Sequence, residues 1–419
     1  MLVSTKPDSR GKIAVLARAA QLTDFRWTPL RDIPTYTKAA GKTVLPAGKE
    51  VLGMIYSSPE PTDKFIGENV SIETLMSIIA NPDSALYNKD LNGRNNSWAY
   101  FGIVCNGLAR YAFQIRRRFS TKRWPTVPGM RKIADADSYA VDQIELCDVL
   151  YAHCKERSHV AMVTDILRDE VSGEIMQVEV SEAVRPSCLR AQYDVKTFHE
   201  KFKLFALWRY DLIDQVPDND PAVDALLFEQ GVPKALPDIA VDYGNRSNYF
   251  LGEETVLSVF HEGENEVQIC RGEEIVERLH FTGRGKFVRK FEKGYYTVKL
   301  VNTGSFVEFC VNQPKITYSV QDEIITVYAD ACDPDSRILY MDFREESKVS
   351  YEQVPAAKNA QSLCYDGRAA ALSKLEELTD EEKQTGVIVR QIPEDAYHIK
   401  VYFENKYGVW THSMIRIRP

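Results

Sequence analysis

Tyr100-Phe101-Gly102-Ile103-Val104-Cys105-Asn106-Gly107-Leu108-Ala109-Arg110-Tyr111 changes character at Cys105. Up to Val104 the stretch contains glycine and reads as strand; beyond it Leu108, Ala109, Ala112 and Phe113 recur at helical spacing. The thiol is therefore expected where a loop becomes a helix. There the positive end of the helix dipole favours thiolate over thiol, which makes a nucleophile. Taken alone, the same residue reads first as a small core side chain, because unpaired cysteines are among the most buried residue types. Partners elsewhere in the chain have to decide between the two.

Downstream the text turns to strands. Val149-Leu150-Tyr151, His159 to Leu167, Ile175 to Ala183 and Leu204 to Tyr210 are rich in β-branched and aromatic residues. The polar run Arg168 to Glu174 suits a turn joining the second and third as an antiparallel hairpin. His159 follows Lys155-Glu156-Arg157-Ser158, so its imidazole is expected at a strand mouth, within reach of a nucleophile that needs a base. Period-two alternation puts Met176, Val178, Val180 and Glu182 on one face and Gln177, Glu179 and Ser181 on the other. A carboxylate ending an apolar face needs a partner, and an imidazole on the paired strand is a natural one. Cys105, His159 and Glu182 are thus the expected nucleophile, base and orienting group. Glu179 takes the third role if the register differs. Tyr56, Trp98 and Tyr100 are candidates to line the cleft.

The order Cys105-Asn106-Gly107-Leu108, Cys147-Asp148-Val149-Leu150-Tyr151, Ser158-His159-Val160-Ala161-Met162-Val163 and Val180-Ser181-Glu182 resembles the NlpC-type and CHAP cysteine enzymes. That resemblance implies a papain-like fold and a cysteine peptidase or amidase. Cys105 would be the nucleophile, His159 the base and Glu182 the orienting residue, with Asp148 at the Gly-Asp turn and a peptide or peptidoglycan stem as substrate. The chain departs from the family pattern at Val104, Asn106 and Cys147. The match covers roughly Tyr100 to Tyr210 and none of the C-terminal half.

With 419 residues, 44% hydrophobic and 27% charged, the chain is long enough for several domains. A net charge of -8 without long basic runs argues against a nucleic-acid partner. The sequence contains no apolar run long enough to span a bilayer and no signal core, so either a cytoplasmic protein or one exported with a separate leader is expected. Eight scattered cysteines read as mostly reduced. Cys147, His153, Cys154 and His159 lie close enough in sequence to suggest zinc, but they lack a Cys-x-x-Cys knuckle, and no metal or other cofactor is expected.

The expected fold class is an α+β papain-like catalytic domain followed by two all-β, immunoglobulin-like sandwich domains. Residues 1–214 would form the first, with an N-terminal helical wrap. Residues 215–248, rich in proline and acids, would form a linker with a short helix around Val223 to Glu229. Residues 249–313 and 314–419 would be the β domains, the second with a charged helical insertion around Ala369 to Glu382. A polymer or protein partner is the expectation for the β domains.

Overall fold

A computed structural model describes residues 1–37, 41–56, 72–88, 102–115, 121–216, 236–333, 335–344, 372–376 and 378–418. The chain divides into two units, Met1–Ser58 with Gly102–Val232, and Pro59–Phe101 with Pro233–Pro419.

The first unit is built on one large sheet, beside two small ones that pair Arg26–Trp27 with Val51–Leu52 and Ile33–Thr37 with Gly41–Leu45. The strands of the large sheet are β1 (Leu2–Ser4), β2 (Met130–Ala134), β3 (Val149–His153), β4 (Ser158–Asp169), β5 (Ile175–Ala183), β6 (Cys188–Asp194) and β7 (Ala206–Tyr210). They lie in the order β6-β5-β4-β3-β7-β2, and β1 pairs with the far end of β4. Every pairing is antiparallel. Val160, Ala161, Met162 and Val163 are all buried, so β4 is covered on both faces and reads as an unbroken apolar run.

Among the described residues three α-helices accompany the sheet: α1 (Arg10–Thr23), α2 (Cys105–Ala112) and α3 (Val195–Phe202). Ser9 opens α1 by accepting the Lys12 N–H, and the helix buries Ala14, Val15, Ala19 and Leu22. Asp194 opens α3 by accepting the Thr197 N–H at 2.9 Å, and Phe198 and Phe202, one turn apart, anchor it.

A bend at Gly53 brings the chain to the start of α2. Its φ is +85°, and a Cβ there would sit 1.9 Å from the Cys188 carbonyl oxygen. Past the bend, Met54 accepts the Cys188 N–H at 2.7 Å and Ile55 accepts the Ile103 N–H at 2.9 Å. Tyr56 then bridges Ile103 in parallel, two residues before Cys105.

The second unit holds the helix Ile72–Ala80 and two groups of sheets. In the first group, Ile239–Val241, Glu254–Val259 and Gly285–Lys290 form three strands. Beside them in sequence, Ser247–Tyr249, Phe306–Val311, Gly294–Leu300, Glu264–Arg271 and Glu274–Thr282 form five. In the second group, Lys315–Gln321, Ile324–Asp330 and Val387–Gln391 face Leu372–Glu376, Arg337–Arg344, His398–Glu404 and Trp410–Arg416. Ile325, Val327 and Ile388 share one core there with Met341, Phe343, Ile399, Val401 and Phe403.

The α+β papain-like domain is a correction: the chain is mainly β, with 45% strand and 18% helix. Two segments depart from their local preferences. Cys188–Asp194 alternates in burial and extends the sheet as β6, where no strand is expected from its composition. Leu372–Glu376 consists largely of good helix formers yet pairs as a strand with Met341–Arg344, so tertiary pairing overrides propensity; among the described residues the insertion is helical at Asp380–Thr385. The helix expected around Val223 to Glu229 lies outside the described residues.

Gly53→Ala is expected to destabilise the first unit by about 2 kcal/mol or more, combining a left-handed backbone with a contact no Cβ tolerates. Urea unfolding checks it; a change below about 0.5 kcal/mol would show that the bend is not constrained.

Candidate functional site

Three elements converge on one point. Val104 is extended, with φ −101° and ψ 172°, and Cys105 is the first residue of α2, so the thiol stands at the helix N-terminus. His159 is the second residue of β4 and lies opposite Ala152 of β3. Glu182, near the end of β5, lies one step beyond the Met162–Ser181 pair, which turns it to the same face of the sheet as His159.

The imidazole links the other two groups. His159 Nε2 lies 2.8 Å from Glu182 Oε2. The Cys105 thiol lies close enough to the His159 side chain for each to shift the other's titration. With Nε2 engaged by the carboxylate, the ring nitrogen left for sulfur is Nδ1. The backbone N–H of Val160 and the Thr121 hydroxyl, 3.7 Å from Sγ, complete the thiol's surroundings. The Phe205 ring meets His159 edge-on at 6.1 Å.

All three groups are sheltered: Cys105 and His159 are each 7% exposed and Glu182 3%. Burial alone would push the Cys105 thiol up, but the adjacent imidazole brings it below its ordinary value. Burial would likewise lower His159, yet Cys105 and Glu182 raise it to about 9. Glu182 is held at about 2 against the upward push of burial, by His159 first and then by Lys201. The imidazole thus shifts Cys105 toward thiolate, beside a raised imidazole and a lowered carboxyl. Elsewhere burial drives the thiols of Cys147 and Cys188 up, and that of Cys310 to about 12.

The other candidate residues have different places. Glu179 lies on the opposite face of β5, where it accepts from Thr164 Oγ1 at 3.1 Å and stands 3.7 Å from Arg190. Tyr56 is tied by its backbone to the strand entering α2, and the Arg185 guanidinium lies 5.7 Å from its ring. Asp148 is a structural clamp: fully buried, it receives Arg209 Nε at 2.8 Å and a terminal guanidinium nitrogen at 2.9 Å. Trp98 and Tyr100 lie outside the described residues. His153 pairs with Ser158, and among the described residues no group of three or more His, Cys, Asp or Glu side chains is placed to hold a metal ion. No helix among them is long and apolar enough to cross a membrane.

Sequence reasoning missed Thr121 and Lys201. Lys201 Nζ donates to Glu182 Oε1 at 3.0 Å and also to the Tyr193 hydroxyl. Asp194 and Thr197 carry the capping signal that would have placed Lys201 in the last turn of a helix, though not its partner.

No family model and no curated protein matches the chain. Among solved structures it is similar to domains NIE-MG1 of alpha-2-macroglobulin from Escherichia coli, at 8% identity over 43% of this chain and 97% of that one, with a TM-score of 0.16. It is similar to domains 3 and 4 of rat CD4, at 13% identity over 41% and 98%, with a TM-score of 0.21. Fibronectin(III)-like modules of Clostridium thermocellum CbhA match at 12% identity over 43% and 94%, with a TM-score of 0.16. At these scores nothing about activity passes from those proteins to this chain. The resemblance to NlpC-type and CHAP enzymes is overturned: the chain is mainly β with few helices, not a papain-like fold. A catalytic reading has only the geometry of the site to stand on, because the hydrolase, thiol-protease and peptidoglycan assignments lose the support of that resemblance. Its motifs are a few residues each, and a β-rich chain supplies such stretches without common descent.

Two outcomes follow from the geometry. Arg209→Ala leaves the buried Asp148 carboxylate unpaired and is expected to cost about 3 kcal/mol in chemical denaturation; a loss under about 1 kcal/mol would mean that water replaces the clamp. Because folded His159 titrates at about 9 against an ordinary 6.5, its stabilising contribution is full below 6.5 and is lost as pH rises through 9. The stability difference between the natural protein and His159→Gln should shrink across that window, and a pH-independent difference would contradict the charged pair.

Proposed function

We propose that Cys105, His159 and Glu182 form a nucleophilic acyl-transfer centre that cleaves a peptide-like amide through a thioester. The observation that carries this reading is the 2.8 Å contact of His159 with Glu182, beside a thiol at the start of α2 whose titration the imidazole lowers. The Cys105 thiolate attacks the carbonyl carbon, and a C–S bond forms. The Cys105 N–H, to which helix geometry gives no intrahelical acceptor, donates to the developing oxyanion. His159 gives the Nδ1 proton to the amine nitrogen as the C–N bond breaks. Water then attacks the thioester while neutral His159 takes its proton, the C–S bond breaks, and thiolate and imidazolium are restored. Glu182 stays ionised throughout and keeps Nε2–H directed toward itself.

A second reading is a non-catalytic interaction protein. It draws on the second unit, where Tyr328, Val387 and Val389 are exposed on neighbouring strands.

Iodoacetamide separates the two. At pH 6, Cys105 is expected to be alkylated at least about tenfold faster than Cys147, Cys188 or Cys310, and His159→Ala should slow it by about the same factor. Uniformly slow labelling would reject the acyl-transfer centre and leave the interaction reading.

A further inference from the structure

Glu182 has two oxygens and both are taken. Oε2 faces His159 at 2.8 Å, and Oε1 accepts from Lys201 Nζ at 3.0 Å. The last torsion of a glutamate side chain is broad, so one hydrogen bond leaves the carboxylate free to swing, whereas two at opposite oxygens set its plane. Lys201 is itself held, by the Tyr193 hydroxyl and by the rings of Tyr193 and Phe202, 4.3 Å and 5.4 Å from its ammonium. We infer that Lys201 is a positioning residue that fixes Glu182 toward His159, extending Cys105, His159 and Glu182 into a relay of four. This inference rests on the acyl-transfer reading of the same site.

The surroundings favour a role beyond packing. Helix α3 is anchored by Phe198 and Phe202, while the Lys201 side chain is 35% exposed, so α3 does not need the ammonium for its core. The titratable groups facing Glu182 are His159 from β4 and Lys201 from α3; β6 sets Leu189 opposite it. Lys201 faces Glu182 and Tyr193. The ammonium is thus the one cation besides the imidazole, among the described residues, that touches this carboxylate.

Positioning and simple charge proximity differ in sign. Removing a nearby positive charge, with geometry unchanged, moves the titrations of Cys105 and His159 both upward. A loosened Glu182 holds imidazolium less well, so His159 loses its proton at lower pH while the thiol, less supported by imidazolium, ionises at higher pH. The window of the charged pair then narrows from both sides.

The experiment uses the full chain with Lys201→Met, which keeps the stem, and Lys201→Arg, which keeps the charge. Alkylation of Cys105 by iodoacetamide between pH 4 and 8 reads the thiol, and NMR of the labelled imidazole reads His159. In Lys201→Met the thiol limb should move up, slowing labelling on that limb by about threefold, while His159 titrates lower. Lys201→Arg should restore both. Tyr193→Phe, which removes the hydroxyl holding Lys201, should narrow the window in the same sense and serves if Lys201→Met fails to fold. Limbs that move together, or do not move, overturn the inference. If Cys105 of the natural protein labels no faster than the other cysteines, the acyl-transfer reading fails first and this inference falls with it.

Discussion

Register along β4 is the constraint on which the site depends. His159, Ala161 and Val163 point to one face of the sheet, and the pairing of Met162 with Ser181 brings Glu182 to that same face. A slip of one residue would turn either the imidazole or the carboxylate to the opposite side, because side chains alternate with period two. The register is held by the buried run Val160 to Val163 and by strands paired along both edges of β4. Beyond Val163 the pairing with β5 shifts, and Thr164 is left to bond Glu179 and Ser181 on the other face. One strand thus carries the His159–Glu182 network on one side and a Thr164–Glu179–Ser181 network on the other.

Electrostatics at the site follows from that geometry. Three groups in shelter cannot all be charged unless each opposes its neighbour, and thiolate, imidazolium and carboxylate alternate in sign. Lys201 adds a further alternation at the end of the row and connects it to solvent. Asp148 and Arg209 repeat the logic one strand away without a nucleophile, which is why a carboxylate singled out by its sequence context serves the fold there.

What the sequence made legible was local. Alternation along Ile175 to Ala183 distinguished Glu182 from Glu179, and the switch from strand text to helical spacing placed Cys105 at a helix start. The fold of the whole was not legible, since ordered short motifs do not specify how strands pair. Cys188–Asp194 lacks the β-branched run that marks a strand and forms one because β5 offers it an edge. Leu372–Glu376 shows the same override from the helical side. Lys201 could be placed on a helix by its cap, but its partner is nineteen residues upstream on another element, and spacing carries no signal for that contact.

The order of strands also bears on when the thiol meets its neighbours. β7 inserts between β3 and β2, and β1, at the start of the chain, pairs with the end of β4, so Leu2 meets Asp169. Contacts of such long sequence separation form late and slowly. Cys105 leaves the ribosome well before His159 and Glu182, and α3 later still. Until the sheet closes, the cysteine is an ordinary thiol with an ordinary affinity for protons. The lowered titration of Cys105 is therefore acquired on folding, and an unfolded chain holds neither His159 nor Glu182 in place to produce it.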